Sequence, residues 1–209
     1  MSDVPERAPL VWARYDTPFG DLHVIVTPED GVVHAAGFRV LSDIARELPA
    51  RLSVRGWEEG ELPHIADAVE GWLSGDARAI LEVPVEQEGG PFFQEVWAAL
   101  RSVAAGEAVS YQELAEMAGR PRAMRAAGTA CARNSIAPFV PCHRVIQSGG
   151  RLGSYGFGGA DIKAAMLRHE GFTVPSSAPD APVSAPTGSL PAHASGRARD
   201  LGADAKAAR

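Results

Sequence analysis

Ser110-Tyr111-Gln112-Glu113-Leu114-Ala115-Glu116-Met117-Ala118-Gly119-Arg120-Pro121-Arg122-Ala123-Met124-Arg125-Ala126-Ala127-Gly128-Thr129 is the stretch that decides the fold of the second half of this chain. Ser110 and Glu113 have the spacing of a capping box, in which a hydroxyl and a carboxylate satisfy the first free amides of a helix reciprocally. Leu114, Ala115, Met117 and Ala118 give that helix a short apolar face, and Gly119 ends it. Pro121 stands where a first helical residue would, because its missing N–H costs nothing there, so a second helix is expected from Pro121 to about Arg133. Two short helices joined by a glycine-containing turn suit a helix-turn-helix, and equally an αα-hairpin in an all-α core. The second helix has few side chains suited to base edges in a major groove. Its small residues would let the backbone approach a narrow groove, with Arg125 the one long side chain able to enter a base stack.

Outward from this pair, the texture changes twice. Just upstream, Phe92, Phe93, Val96, Trp97, Leu100 and Val103 form one helical stripe, closed at Gly106. Residues 10–38 instead carry short alternating apolar runs (Val11, Ala13, Tyr15; Leu22, Val24, Val26; Val32, Val33) broken by Pro18–Asp21 and Pro28–Gly31, the pattern of a small antiparallel sheet. Ile65–Leu73 has helical spacing and stops at Ser74-Gly75, Ile80–Val85 is strand-like, and Glu86–Pro91 reads as a linker. Beyond Phe172, 10 of 37 residues are Ala, 5 Pro and 5 Ser, with no aromatic, so a disordered tail is expected. The expected fold is α+β, with segments 1–88, 89–172 and 173–209.

Two cysteines, Cys131 and Cys142, exclude a disulfide framework or a four-cysteine zinc site. No apolar run is long enough for a membrane span and no signal peptide is evident, so a reducing cytoplasmic setting is expected. The net charge of -6 conceals an asymmetry. Residues 1–90 hold 7 Lys and Arg against 17 Asp and Glu, while residues 91–172 hold 9 against 6, a prompt to look for an anion-binding surface in the second half.

The chemistry concentrates in Asn134–Val145. Cys142, fixed behind Pro141, needs a base or positive surroundings to act as a thiolate. His143 is the obvious base, but adjacent side chains diverge, so a relay through water fits better than direct contact. Glu170 is the best carboxylate to orient it. A buried, inert cysteine beside a histidine is the bland reading of such a pair. Gly149–Gly159 holds six glycines in eleven residues without the Lys and Ser/Thr of a P-loop. It reads as a wall whose amides face a flat ligand, with Tyr155 to stack on it, or as a plain flexible loop.

Pro141-Cys142-His143-Arg144-Val145 resembles the active-site motif of the O6-alkylguanine-DNA alkyltransferases, the methylated-DNA–protein-cysteine methyltransferase family. The resemblance extends over roughly residues 10–172 through Tyr15–Gly20, the helix from Phe92, Ser110-Tyr111, Arg125, Asn134 and His169-Glu170-Gly171. It implies a ribonuclease H-like N-terminal sheet and a catalytic, DNA-binding second segment. Cys142 would accept the alkyl group, activated by His143 and Glu170 through a bridging water, and Asn134 would hold the turn between recognition helix and active-site strand. Tyr111 would crowd the 3′ phosphate and assist the leaving guanine, and Arg125 would fill the vacated stack. Arg122, Ala123, Ala126 and Arg133 would meet the minor groove of double-stranded DNA, and Val145, Tyr155, Gly156 and Cys131 the guanine pocket. The implied activity is single-turnover repair of O6-alkylguanine by a monomer without cofactor or metal. Phe157 looks inserted in the glycine-rich loop, and Met124 replaces a commonly smaller residue. The rival readings are a non-catalytic lesion-binding protein of the same fold, a plain helix-turn-helix regulator and a cysteine hydrolase.

Overall fold

The computed structural model describes residues 7–174. Strands β1 (Leu10–Thr17), β2 (Gly20–Val26) and β3 (Val33–Gly37) follow the alternating runs and pair antiparallel. Gly20, at φ 114°, makes the tight first turn, a conformation that glycine adopts without Cβ strain. Short helices α1 (Leu41–Ala45) and α2 (Ala50–Ser53) cover one face of the sheet through Ile44, Leu48 and Leu52, packed on Leu10, Ile25 and Ala35. Strand β4 (Trp57–Glu59) joins β1 in parallel, giving the order β3-β2-β1-β4. Its three exposed residues carry no alternation, so the sequence gave no sign of it.

The other face meets α3 (Pro63–Leu73), where Ile65, Ala68, Val69 and Trp72 are buried. Ile80–Val85 departs from the strand expected there: α4 (Ala79–Glu82) is a single helical turn. Leu81 and Glu82 donate to Arg78 O, the Arg101 guanidinium holds the Leu81 carbonyl, and only Val85 bridges to Val33. Helix α5 (Pro91–Ser102) ends at extended Val103, so Gly106 belongs to the following turn and does not close the helix. Residues 109–110 form β5 (Val109–Ser110), and α6 (Tyr111–Met117) starts with the capping box: Ser110 N donates to Glu113 Oε2 at 2.7 Å and Glu113 N to Ser110 Oγ at 3.2 Å. Gly119 N bonds Glu116 O and Arg120 N bonds Ala115 O, a Schellman end with Gly119 at φ 75°.

The second helix, α7 (Met124–Ala132), begins three residues later than Pro121. Arg120–Ala123 forms a separate turn, closed by Ala123 N on Arg120 O and tied down by Gln112 Nε2 on Pro121 O. A 3₁₀ turn (Cys142–Arg144) leads into β6 (Val145–Ile146), which pairs parallel with β5, and α8 (Gly159–His169) closes the described chain. One apolar cluster runs from Phe19 and Leu22 through Trp72, Trp97 and Leu114 to Phe139, Tyr155 and Met166, so both halves share a core. Ala36 N reaches Ser135 O at 2.8 Å, stitching β3 to the segment before Cys142. Apart from Thr173 and Val174, the tail expected to be disordered lies outside the described residues.

Candidate active site

Pro141 and the 3₁₀ turn place consecutive side chains on opposite sides of the backbone. Cys142 lines a cavity of about 290 Å3, and His143, fully buried, is not on its wall. Helices α6 and α7 contribute Tyr111, Gly128 and Cys131 to that wall; the glycine-rich loop contributes Ser154, Tyr155, Gly156 and Phe157, and α8 contributes Lys163. Of the four expected pocket residues, Tyr155, Gly156 and Cys131 therefore face the cavity. Val145 does not: its side chain is fully buried where β6 pairs with Val109 of β5, inside the core.

Behind the sulfur stands Asn134, 4% exposed. Its Nδ2 donates to Cys142 Sγ at 3.1 Å and to Val140 O at 2.8 Å, while Oδ1 accepts from Ile136 N at 3.1 Å. Every hydrogen-bonding position of that amide is thus engaged, which fixes its orientation. Gln87, in the stretch read as a linker, is buried and completes the arrangement. It donates to Asn134 Oδ1 at 3.1 Å, and its Oε1 accepts from Ser135 N at 2.9 Å and Ser135 Oγ at 3.1 Å.

The second network centres on Glu170 at the end of α8. His143 Nε2 lies 3.1 Å from Glu170 Oε1, which sets the proton on Nε2 and leaves Nδ1 as an acceptor without a partner among the described residues. Arg144, itself fully buried, grips the carboxylate with Nε at 2.8 Å and its terminal nitrogen at 2.9 Å, and donates to Val103 O at 2.6 Å. Trp72 Nε1, arriving from α3, donates to Glu170 Oε1 at 3.1 Å. Burial alone would raise the Glu170 pKa, but these donors hold it far below the usual carboxylate range. Burial lowers the His143 pKa, so the ring is neutral and basic only toward a strong enough acid. Burial likewise pushes the Cys142 thiol up, opposed by the Asn134 hydrogen bond and the Lys163 charge. Tyr111 and Tyr155 are also pushed up by burial and stay as neutral O–H donors.

Sequence reasoning did not single out Gln87, Trp72, Arg144 or Lys163. Arg144 lay within the motif itself, while Gln87 and Trp72 carried no local sign.

On the outside of the cavity, α7 buries Ala127 and Ala130 and leaves Arg122, Met124, Arg125 and Arg133 exposed, with Ala123 and Ala126 half-buried between them. Neither Arg122, Arg125 nor Arg133 has an ion-pair partner among the described residues; Arg133 lies over Phe93 at 6.0 Å, and Arg120 is paired with Glu95. Phe157 is 4% exposed, its ring beneath the Arg39 guanidinium and against Gly37, where a Cβ would stand 2.5 Å from the ring. The residue that looks inserted thus binds the loop to the sheet. Among the described residues no cluster of three or more His, Cys, Asp or Glu could hold a metal ion, and no helix is long and apolar enough to cross a membrane.

Residues 91–172 match the family described as 6-O-methylguanine DNA methyltransferase, DNA binding domain. The constitutive methylated-DNA–protein-cysteine methyltransferase of Bacillus subtilis is 35% identical over 158 residues, covering 74% of this chain and 92% of that protein. The bifunctional transcriptional activator/DNA repair enzyme Ada of Escherichia coli is 47% identical over 90 residues, 43% of this chain and only 25% of Ada. The crystal structure of Mycobacterium tuberculosis OGT in complex with DNA aligns with a TM-score of 0.61 at 33% identity, covering 77% of this chain and 92% of that one.

Proposed function

The chain belongs to the methylated-DNA–protein-cysteine methyltransferase family, and from that membership we propose that Cys142 is the atom-accepting residue of its reaction. The protein is a direct-reversal DNA-repair enzyme that transfers an alkyl group from DNA to a cysteine of its own. The observation that carries the assignment of Cys142 is its place. Its sulfur opens on the 290 Å3 cavity next to the helix pair, with the Asn134 amide behind it.

An alkyl group on O6 of a paired guanine is shielded by the duplex, so the nucleotide must be swung out, at a cost of about a few kcal/mol that a damaged pair reduces. Arg122, Arg125 and Arg133, free of ion pairs among the described residues, meet the phosphates, and the small Ala123 and Ala126 admit the helix to the minor groove. Arg125 occupies the vacated stack. In the cavity, Tyr155 and the Gly156 backbone hold the purine. The Cys142 proton passes through water to His143 Nδ1, whose Nε2 proton faces Glu170. The thiolate then attacks the alkyl carbon; the S–C bond forms, the C–O6 bond breaks, and guanine takes a proton delivered with the help of Tyr111. The product is a thioether that water does not cleave, so one monomeric chain repairs one lesion. A reducing cytoplasm keeps the sulfur competent.

Incubation with duplex containing O6-methylguanine is expected to add about 14 Da at Cys142, read by intact mass and peptide mapping. An unmodified mass with binding retained would identify a lesion-binding protein instead. Arg125→Ala is expected to slow duplex repair more than reaction with free O6-benzylguanine, because only the duplex requires flipping. Equal losses would remove Arg125 from that role.

A further inference from the structure

Lys163 is the one charged side chain on the cavity wall. It is 1% exposed, has no carboxylate partner among the described residues, and makes one hydrogen bond, from Nζ to Leu152 O at 2.6 Å. A buried ammonium without a counter-charge is costly, and proteins retain one where a negative charge develops nearby. The only groups on this wall that can become anionic are Cys142, Cys131, Tyr111 and Tyr155. Burial holds both tyrosines protonated and drives Cys131 to a pKa beyond the range of a working thiolate. Cys142 alone has a donor, Asn134 Nδ2, already aimed at its sulfur.

We propose that Lys163 is a catalytic residue of the transfer, its ammonium supplying the positive charge that stabilises the Cys142 thiolate across the cavity. The base already described removes the proton, and Lys163 sets how much thiolate results. The two roles are separate because His143 lies off the cavity wall, paired to Glu170, whereas Lys163 faces the space where the anion and the leaving purine meet. Their mutual influence runs the same way: the lysine charge lowers the Cys142 pKa, and the two cysteines oppose the burial that brings Lys163 down to about 8. The groups facing Cys142 are Tyr111 from α6, Cys131 from α7, Tyr155 from the glycine-rich loop and Lys163 from α8, with neutral His143 and the Glu170–Arg144 pair behind. Removing the lysine leaves no other cation on that wall. The helix remains pinned by Met166 and Leu167, both fully buried.

This inference rests on the alkyl-transfer reading, and the two can fail separately. The test is the pH dependence of Cys142 alkylation by iodoacetamide, which needs no DNA, in the full chain with Cys131→Ser as background. Lys163→Met is expected to move the inflection upward by about one to three pH units, the effect of losing one close opposite charge. Lys163→Arg, which keeps the charge, is expected to stay within about half a unit of the parent. Circular dichroism melts confirm that each variant is folded. An inflection in folded Lys163→Met equal to the parent's overturns the proposal, as does an equal upward shift in Lys163→Arg. Failure of the parent to take a methyl group from damaged duplex would instead overturn the function proposed above.

Discussion

Replacing Gln87 with alanine removes three hydrogen bonds at once: one to Asn134 Oδ1 and two to Ser135. All the partners are buried, and the Ser135 amide is left without an acceptor. Each lost bond is worth about 1 kcal/mol net, and an orphaned buried amide about 1–3 kcal/mol, so the expected destabilisation is about 2–4 kcal/mol. For a domain of this size that lowers Tm by about 5–15 °C. The consequence for chemistry is separate. Asn134 is the amide whose other end holds Cys142 Sγ, so loosening it should slow single-turnover methyl transfer by about tenfold or more, measured at a temperature where the variant is fully folded. Gln87→Glu sharpens the test: a carboxylate can still accept from Ser135 but has no N–H for Asn134 Oδ1. It should recover part of the stability and little of the rate. A Gln87→Ala protein that melts within about 1 °C of the parent and transfers methyl groups equally fast would refute the reasoning.

Trp72→Phe keeps an aromatic ring in the core and deletes the N–H donor to Glu170; a loss of about 1 kcal/mol is expected by urea unfolding, together with slower transfer, and unchanged kinetics would show that Arg144 alone orients the carboxylate. Phe157→Ala removes a ring packed on Gly37 and lining the cavity; it should cost about 3–5 kcal/mol and raise reaction with O6-benzylguanine relative to the methyl lesion, in competition assays. Both Glu170 and His143 have native pKa values depressed below their unfolded ones, so each contributes stability that is present above the unfolded value and lost as pH falls. Stability should therefore decline from about pH 6.5 downward as unfolded histidine gains its proton, and more steeply below about pH 4.3 as unfolded glutamate does. His143→Asn should flatten the upper part of that decline; a urea midpoint independent of pH between 7 and 4 in the parent would contradict the assignment.

The elements that the sequence made legible are those governed by neighbours in the chain. The capping box at Ser110 and Glu113, the glycine stop at 119 and the turns at Gly20 and Gly31 are bonds and torsions closed within a few residues, and the structure contains them all. Near-neighbour readings failed where two local preferences compete. Pro121 suits a first helical turn, yet Arg120–Ala123 closes its own turn; Ile80–Val85 suits a strand, yet Arg78 O captures Leu81 and Glu82. Strand β4 gave no signal because all three of its residues face solvent.

Cys142, His143 and Glu170 were nameable from residue chemistry and resemblance alone, as was the divergence of adjacent side chains. What tertiary structure decided is who serves them. Gln87 reaches Asn134 from 47 residues away and Trp72 reaches Glu170 from 98, and Lys163 becomes a cavity residue only because α8 packs beside the glycine-rich loop. Local sequence fixes torsions and periodicity, so it can specify a turn, a cap or an apolar stripe. A hydrogen bond between distant side chains, or the burial that shifts a pKa, exists only after the chain has closed on itself and excluded water.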